Sequence, residues 1–358
     1  MQKNGKKFHH FFNDNKYGGK EKTLLVAKNF RDAVRVEHVE RLGFKEPSPH
    51  ENPSRRSASG VVGVNRSSYE YTKRGKKYKA EVWQAGWPVG DGKYVCRSFS
   101  IKKHGEEGAF ALALRAREEG VRQGSNEEER TYQYYPPENL DQRIWRYLDF
   151  TKFVAMIDTN SLFFPSASSF LDRFEGSYSK LNLKIRPLLH KEEDNYIDKK
   201  ISDLEKLKKE VGVSCWHAND FESAAMWNLY SKSSESVCLQ STYQRLVLAL
   251  EEKSEIGMVQ YVDYLSDFIP EYDPYLAFFH KRKSFEHENE IRAIIKKLDG
   301  NEIGVGRGLH VDIDLLIESI YVSPESPQWF FELIKNTLKK YGIKKPVVKS
   351  SLADDPIY

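Results

Sequence analysis

Residues 60–84 read GVVGVNRSSYEYTKRGKKYKAEVWQ, and residues 93–100 read KYVCRSFS. Apolar and polar side chains alternate within the segments 60–67, 77–84 and 93–100, and this period of two is typical of strands. Turns rich in Gly and Asp separate the segments. The sequence therefore predicts a small three-stranded antiparallel sheet.

A helix is predicted after the third strand. Glu106 and Glu107 fit its first turn, where the helix dipole favours acidic side chains, and Gly120 fits its end. Its apolar face consists of Ala109, Leu112, Ala113 and Ala116. This face is predicted to pack on one side of the sheet, through Val62, Val64, Ala80 and Val82.

The opposite side of the sheet is predicted to be exposed and basic. Alternation places Lys79, Glu81 and Trp83 there with Asn65 and Ser67, beside the hairpin residues Lys73, Arg74, Lys76 and Lys77. A basic ribbon of this kind can enter the major groove of DNA, where cations neutralise phosphates. The alternative is a sheet edge protected by lysines against aggregation.

These residues resemble the Apetala-type (ethylene-response-factor-like) DNA-binding domain over residues 60–120. The likeness consists of the three strands, the segment SFSIKKHG and the Ala-rich helix in this order. The resemblance implies contacts with double-stranded DNA from Asn65, Arg66, Ser67, Lys77, Lys79, Glu81, Trp83, Lys93 and Arg97, with Tyr78 as the usual aromatic of the second strand. Asn65 and Ser67 stand where plant members have arginines, so a base preference does not transfer.

Charge and repetition divide the chain. Residues 1–130 contain 27 Lys and Arg against 17 Asp and Glu, whereas residues 131–358 contain 29 against 35. A basic front on an acidic body suggests a module that binds a polyanion.

Residues 12–32 match residues 99–118 at a Phe, a Lys, a Gly, an Ala and an Arg, which predicts a partial first copy of the module. The predicted segments are the partial copy 1–46, a linker 47–59, the DNA-binding module 60–122, a linker 123–138 and a large domain 139–352.

Composition excludes several classes of protein. No apolar run approaches the ~20 residues of a membrane-spanning helix, so no membrane partner is expected. The start MQKNGKKFHH has no apolar segment typical of a secretion signal. The three cysteines, Cys96, Cys215 and Cys238, fit neither a disulfide framework nor a zinc site. A cytoplasmic location is expected, and the oligomeric state stays open.

The large domain is predicted to be mixed α/β, which makes the chain an α+β multidomain protein. Predicted strands are 144–148, 161–164, 211–216, 237–240, 257–261, 290–295 and 319–323, and residues 153–157 are predicted to be helical. A final helix is predicted with Ser326 as its cap and Pro327 at its first position. Its buried stripe would be Phe330, Ile334, Leu338 and Tyr341, and it would stop at Gly342.

The motifs of residues 140–352 resemble the bacterial domain of unknown function 2971. The likeness rests on WRYLD, LFFPSASSFLDRFEGS, VSCWHANDFESAAMWNLY, FFHKRKSFEHENEIRAI and IYVSPESP in this order. Where that family tends to have Asn-Asp-Pro-Phe-Glu, this chain has Leu171-Asp-Arg-Phe-Glu175, so a role for the Asn does not transfer.

The order of these motifs also resembles the layout of ADP-ribosyltransferases. A first strand with Arg146 beside Tyr147 precedes a late strand with Glu288 and Glu290. The resemblance implies that NAD is a candidate substrate, that the Arg and the aromatic hold it, and that a late Glu stabilises the oxocarbenium-like transition state. If the late segment is extended, Glu286, Glu288 and Glu290 share a face with Arg292, which could neutralise one of them. A surface charge ladder is the simpler interpretation.

Other groupings are weaker. Trp216, Trp227 and Tyr230 form either a wall that stacks on nicotinamide or part of the core. Asp172 and Glu175 with His217 or Glu222 could bind a metal, although no closely spaced signature supports this. The segment 280–283, HKRK, could touch phosphate or lie in a solvated turn.

Two functions follow from these expectations. In the first, the chain is a DNA-binding effector of bacterial or phage origin, active in phage defence, whose large domain transfers ADP-ribose from NAD to a nucleic acid or a protein. In the second, it is a non-catalytic DNA-binding regulator whose large domain senses a ligand or a partner.

Overall fold

A computed structural model of the chain describes residues 2–3, 6–7, 61, 63–73, 75–89, 94–124, 134–189, 196–231, 233–271, 273–296 and 305–356. The first strands, β1 (Gln2–Lys3) and β2 (Lys6–Lys7), form a short antiparallel pair. The rest of the predicted partial copy 1–46, the linker 47–59 and most of the linker 123–138 lie outside the described residues.

The predicted three-stranded sheet is present and antiparallel. It consists of β3 (Val64–Lys73), β4 (Lys76–Pro88) and β5 (Tyr94–Ser100), with β4 in the centre. Lys73 pairs with Lys76, so the β3–β4 turn has two residues, and Gly75 takes a φ of 74° there. Gly is suited to this position because a positive φ costs it nothing.

Helix α1 (Ile101–Gly124) covers one side of this sheet. Gly105 interrupts its helical geometry, and Glu106 and Glu107 follow in the first turn of the main segment, as predicted. Gly120 does not end the helix. It lies instead against the ring of Trp87, where any Cβ would collide. The absence of a side chain at this position therefore permits close packing of helix on sheet.

The side of the sheet that α1 covers differs in part from the prediction. Val64 is in the core as expected, but it pairs with Ala85, and Trp83 and Trp87 are buried beside them. Positions 83, 85 and 87 of β4 therefore face the helix. Ala80 and Val82 lie on the other side, and Val62 lies outside the described residues.

The second sheet has seven strands. They are β6 (Arg143–Asp149), β8 (Gly212–Ala218), β9 (Ser236–Thr242), β10 (Glu255–Met258), β13 (Glu290–Ile295), β15 (Ser319–Val322) and β16 (Val347–Lys349). Their order in the sheet is β10-β13-β8-β6-β9-β15-β16. All neighbours are antiparallel except β15 and β16, so the sheet is mixed. The predicted strands 144–148, 211–216, 237–240, 290–295 and 319–323 are confirmed within a few residues.

Two further small sheets lie in the described part of the large domain. β7 (Ser161–Pro165) pairs with β14 (Gly306–His310) in antiparallel fashion, and β11 (Gln260–Val262) pairs with β12 (His280–Arg282) in parallel. The predicted strand 257–261 is therefore two strands, β10 and β11, separated by Val259.

The helices of the large domain flank the seven-stranded sheet. They are α2 (Phe150–Thr159), α3 (Lys180–Leu189), α4 (Tyr196–Glu210), α5 (Ala224–Tyr230), α6 (Tyr243–Leu250), α7 (Ile313–Leu316) and α8 (Gln328–Lys340). Apolar residues of α2, α6, α7 and α8 form the main core on one face. The other face packs α5 through Met226 and Trp227 and carries the polar site described below.

The last helix begins one residue later than predicted. Pro327 is its N-cap, and the hydroxyl of Ser326 donates to the carbonyl of Ser234 instead of capping the helix. Tyr341 lies past the end of the helix, is exposed, and donates its hydroxyl to Asp158.

Helix α3 joins the large domain to the small sheet. Ile185 of α3 and Phe268 belong to the core of the small module, and the Phe268 ring meets Phe110 edge-on at 5.8 Å. Lys184 Nζ lies 3.5 Å from Glu107 Oε1. The two parts are thus in apolar contact along α1 and α3. Among the described helices none is long and apolar enough to cross a membrane.

Candidate active site

Two glutamates meet at the start of β13 because the chain reverses just before it. A 3-10 helix, Lys283–Glu288, is followed by Asn289 in left-handed geometry (φ 38°) and then by Glu290. Asn tolerates this geometry better than most residues. The segment is not an extended strand, so the predicted shared face of three glutamates is wrong: Glu286 is exposed. Glu288 and Glu290 nevertheless both reach Lys281.

Lys281 and Arg292 hold these carboxylates. Lys281 Nζ lies 2.9 Å from Glu290 Oε1 and also pairs with Glu288. Arg292 Nε lies 2.5 Å from the other oxygen of Glu290, which confirms the expected neutralisation of one Glu by this residue. Glu290 is therefore clamped by two cations, one on each oxygen.

Glu175 completes the group, which we call the ion cluster: Glu175, Lys281, Glu288, Glu290 and Arg292. Two nitrogens of Arg292 donate to the two oxygens of Glu175 at 2.7 and 2.9 Å, a bidentate pair. Lys281 Nζ lies 3.6 Å from Glu175. The sequence suggested Glu175 only as a metal ligand, although its position in the segment LDRFE was a usable signal.

The ion cluster holds three carboxylates and two cations, and all five side chains are nearly buried. Burial opposes ionisation of Glu288, and with its hydrogen bond to Glu290 it raises the pKa of Glu288 to about 7. Burial also acts on Glu290, but the charges of Arg292 and Lys281 outweigh it and hold the pKa of Glu290 well below its usual range. One carboxyl is thus fixed as an anion and its neighbour titrates near neutral pH.

Tyr230 borders the cluster on its outer side. Its hydroxyl lies 3.4 Å from Glu288 Oε1, its ring is partly exposed, and burial of the hydroxyl raises its pKa. The other two residues of the predicted stacking wall are in the core. Trp216 is fully buried in the main core, and Trp227 packs on Tyr147. Of the three predicted aromatics, Tyr230 alone reaches the cluster.

His217 lies beside Glu290 on the neighbouring strand β8. Its Nδ1 lies 2.6 Å from the carbonyl oxygen of Glu288, while its Nε2 is buried and has no partner among the described residues. Burial lowers the pKa of His217, so the ring is neutral at pH 7. Because Nδ1 must carry the proton to donate to a carbonyl, Nε2 presents a free lone pair.

Arg146 does not join Glu288 and Glu290. Its strand register puts it on the sheet face of Ser214 and Trp216, whereas Glu290 shares the opposite face with His217. Arg146 donates to Ser214 Oγ and to the carbonyl of Phe163, and burial lowers its pKa to about 10. Arg146 is separated from the glutamates because it is adjacent to Tyr147 on β6, and adjacent strand residues point to opposite faces of the sheet.

Tyr147 is on the face of the ion cluster, but its hydroxyl is already used. It accepts a hydrogen bond from the backbone N–H of Ser223 at 2.8 Å, which helps to start α5. Among the four predicted catalytic residues, the structure therefore brings together Glu288 and Glu290.

The suggested metal ligands do not converge. Asp172 pairs with Arg282 at 2.7 Å, Glu175 with Arg292, and Glu222 accepts from the Trp227 indole N–H. Within the described part of the chain, no group of three or more His, Cys, Asp or Glu side chains could hold a metal ion.

The residues predicted to contact DNA are divided between the two faces of the small sheet. Trp83 is only 6% exposed, and its ring lies 4.5 Å from that of Phe110 of α1. Arg66, Lys79, Glu81 and Arg97 share this helix side by register, as does Lys77 further along. Asn65 and Ser67 lie on the outer side, and Lys93 lies outside the described residues. The predicted grouping of Trp83 with Asn65 and Ser67 is therefore wrong.

Several of the charged residues on the helix side are paired. Arg66 Nε lies 2.9 Å from Glu106 and its Nη2 lies 3.5 Å from Glu81, which also pairs with Lys79 at 3.4 Å. Glu106 in turn accepts from the Trp83 indole N–H at 3.0 Å. This surface network connects the sheet to α1 at the edge of their apolar core.

No family model matches the sequence, and no curated protein matches it. Similar solved structures include Thermus sp. 2.9 DarT in complex with carba-NAD+, at 12% identity and a TM-score of 0.31 over 60% of this chain and 97% of that chain. The complex of the same protein with ADP-ribosylated ssDNA gives 13% and 0.30 over 60% and 96%. The complex with NAD+ gives 12% and 0.31 over 62% and 100%. Similarity at this level assigns neither a family nor an activity to the chain.

Proposed function

We propose that the large domain binds NAD at the ion cluster and transfers its ADP-ribose to a nucleic acid. The observation that carries the proposal is the charge balance of the cluster: when Glu288 is ionised, three nearly buried carboxylates face two cations. A buried unpaired charge is costly, so such a site favours a ligand that brings positive charge. The nicotinamide ring of NAD is such a ligand.

The two glutamates have different tasks in this proposal. As the bond between nicotinamide N1 and ribose C1′ breaks, its electron pair leaves with the nitrogen and positive charge develops on the ribose. A fixed carboxylate stabilises that charge. Glu290, clamped by Lys281 and Arg292, remains an anion throughout and does not need to move.

Glu288 takes the proton of the acceptor. It lies on the side of the partly exposed Tyr230, where an acceptor can approach. When a lone pair of the acceptor bonds to C1′, the acceptor loses a proton, and a carboxylate with a pKa near 7 is a suitable base. Nicotinamide leaves as a neutral molecule, and Glu288 holds the proton that the acceptor has lost.

His217 Nε2 supports the binding part of the proposal. A buried nitrogen without a partner among the described residues is rare and costly, and its free lone pair suits an N–H or O–H donor of a ligand. The carboxamide of nicotinamide and the ribose hydroxyls are donors of this kind. The nucleic-acid acceptor is proposed because residues 1–130 carry the excess of positive charge.

The test uses the full chain with NAD labelled in the adenylate part, in separate reactions with single-stranded DNA, duplex DNA, RNA and a protein mixture. Nicotinamide release and label transfer are measured. Glu288→Gln and Glu290→Gln should each lower the rate on the order of 10²–10³-fold, the usual loss when one stabilising group is removed. Glu286→Gln is the matched control, because Glu286 is exposed and two residues away.

Unchanged nicotinamide release in Glu288→Gln and Glu290→Gln would contradict the proposal. A ligand-sensing domain is the second candidate, favoured by the near-complete burial of all five charged side chains. It predicts calorimetric binding of NAD by the wild type without any nicotinamide release in any reaction.

A further inference from the structure

Three tyrosines form a row on the outer face of the small sheet, near the β3–β4 turn. Tyr71 and Tyr78 are directly opposite in the strand register, with ring centroids 5.5 Å apart and 22° between their planes. Tyr69 continues the row at 6.3 Å from Tyr71. We call these three residues the tyrosine strip.

The tyrosine strip has no part in the core of the module. The core lies on the other side of the sheet, between β4 and α1, and contains none of the three rings. The rings of Tyr69, Tyr71 and Tyr78 are 50%, 44% and 44% exposed. Adjacent aromatic rings left in water at this level are typical of a contact surface.

The charges beside the strip indicate the kind of partner. Lys76 is exposed on the same face of β4 as Tyr78 and two residues from it, and residues 1–130 have 27 cationic against 17 acidic side chains. Aromatic rings flanked by cations suit nucleic acid, because the rings stack on bases and the cations neutralise phosphates.

The exposed tyrosines favour single strands over duplex DNA. In a duplex the faces of the bases are covered by stacking, and a protein reads their edges in the grooves. A row of tyrosines needs bases whose faces are free. Two of the predicted groove-reading residues, Trp83 and Arg66, are also occupied, one in the core and one in ion pairs.

We propose that the tyrosine strip binds unpaired bases of single-stranded nucleic acid by stacking, with Lys76 on a neighbouring phosphate. This inference does not depend on the chemistry of the large domain. It also gives the module a binding mode that differs from the duplex contact implied by its family resemblance.

The test measures binding of the full chain to a fluorescent oligothymidylate of about 12 nucleotides by anisotropy. Tyr71→Ala should weaken binding roughly 5- to 150-fold, the range for loss of one base–aromatic stack. Tyr71→Phe keeps the ring and should stay within about twofold of wild type. Ser98→Ala, on the outer face of β5, is the matched control.

Two further oligonucleotides and the variant Asn65→Ala distinguish stacking on bases from binding to phosphates alone and from binding to a duplex. An oligonucleotide of equal length with abasic sites keeps the phosphates and loses the bases, so the strip predicts a drop comparable to that of Tyr71→Ala. A duplex of the same sequence should bind more weakly than the single strand. The proposal is overturned if Tyr71→Ala binds as wild type, if the abasic strand binds equally well, or if the duplex binds best and Asn65→Ala abolishes it.

Discussion

Arg292 with Glu175 in the large domain and Arg66 with Glu106 in the small module have nearly the same geometry and different surroundings. The closest nitrogen–oxygen distances are 2.7 and 2.9 Å. The side chains of the first pair are 1% and 4% exposed, and those of the second are 40% and 50% exposed. The exposed pair adds little to the stability of the fold, because water would solvate both charges well if they were separated. Buried charges cannot lose their partners without a large penalty.

The comparison extends to proton affinity. In the ion cluster, burial and the neighbouring Glu290 raise the pKa of Glu288, whereas the charges of Arg292 and Lys281 outweigh burial and lower the pKa of Glu290. In the surface network the pKa of Glu106 is lowered, mainly by its hydrogen bond from Arg66. The same residue types thus provide a titrating site in one region and an attachment of sheet to helix in the other.

The largest effect is expected from removing the buried cation. Arg292→Leu leaves Glu175 and Glu290 without their main partner and should lower the free energy of unfolding by about 3–5 kcal/mol. The measurement is urea denaturation at pH 7.5. Arg66→Leu is the matched surface variant and should change the midpoint far less. Equal losses in both variants would show that burial does not separate the two pairs.

The next effect concerns the two faces of β4. Trp83→Ala removes a buried ring that packs on Phe110, and it should lower the free energy of unfolding by about 3 kcal/mol. Tyr78→Ala, on the outer face of the same strand, should leave stability nearly unchanged. Thermal denaturation of both variants checks this. Unchanged stability in Trp83→Ala would restore the interpretation of Trp83 as an exposed DNA contact.

The smallest effect is a slope of stability with pH. The pKa of Glu288 is raised from about 4.5 to about 7 in the folded chain. The folded state therefore binds more protons than the unfolded state between these values, and stability falls as pH rises through 7.

Glu288→Gln should lose this slope, so the difference in unfolding free energy between wild type and variant should change by roughly 2.5 kcal/mol between pH 5 and pH 8. Urea denaturation of both proteins at the two pH values measures it. If the free energies of unfolding of wild type and variant differ by the same amount at both pH values, Glu288 is already ionised at pH 5.

Much of the β structure was predictable because period-two alternation marks strands directly. The sequence did not predict which face of β4 packs on the helix, since both sets of alternating positions contain apolar residues. Ala80 and Val82 lie on one side, and Trp83, Ala85 and Trp87 lie on the other. The larger side chains decide which side packs on α1, because they remove more apolar surface from water. Pairing of Val64 with Ala85 then fixes the register.

The candidate site was predictable in part. Glu288 and Glu290 come from one motif. The segment before Glu290 is not the predicted strand, but the two side chains still lie close together because the chain turns at Asn289 between them. Glu175 pairs with Arg292 across 117 positions of sequence, and no local pattern indicates a contact at that separation. Arg146 was assigned by its order along the chain, whereas strand parity determines its face.

The position of Glu175 in the chain couples the two parts of the molecule. Residues 176–179 separate this carboxylate from α3, and α3 is the element that rests on the helix of the small module. Gly176, with a φ of 60°, is pressed against the ring of Phe278, whose carbonyl accepts from Arg292. A shift of α3 against the small module would therefore be transmitted through four residues to Glu175 and to the side chain of Arg292 that it holds, which places the proposed active site and the small module in direct structural connection.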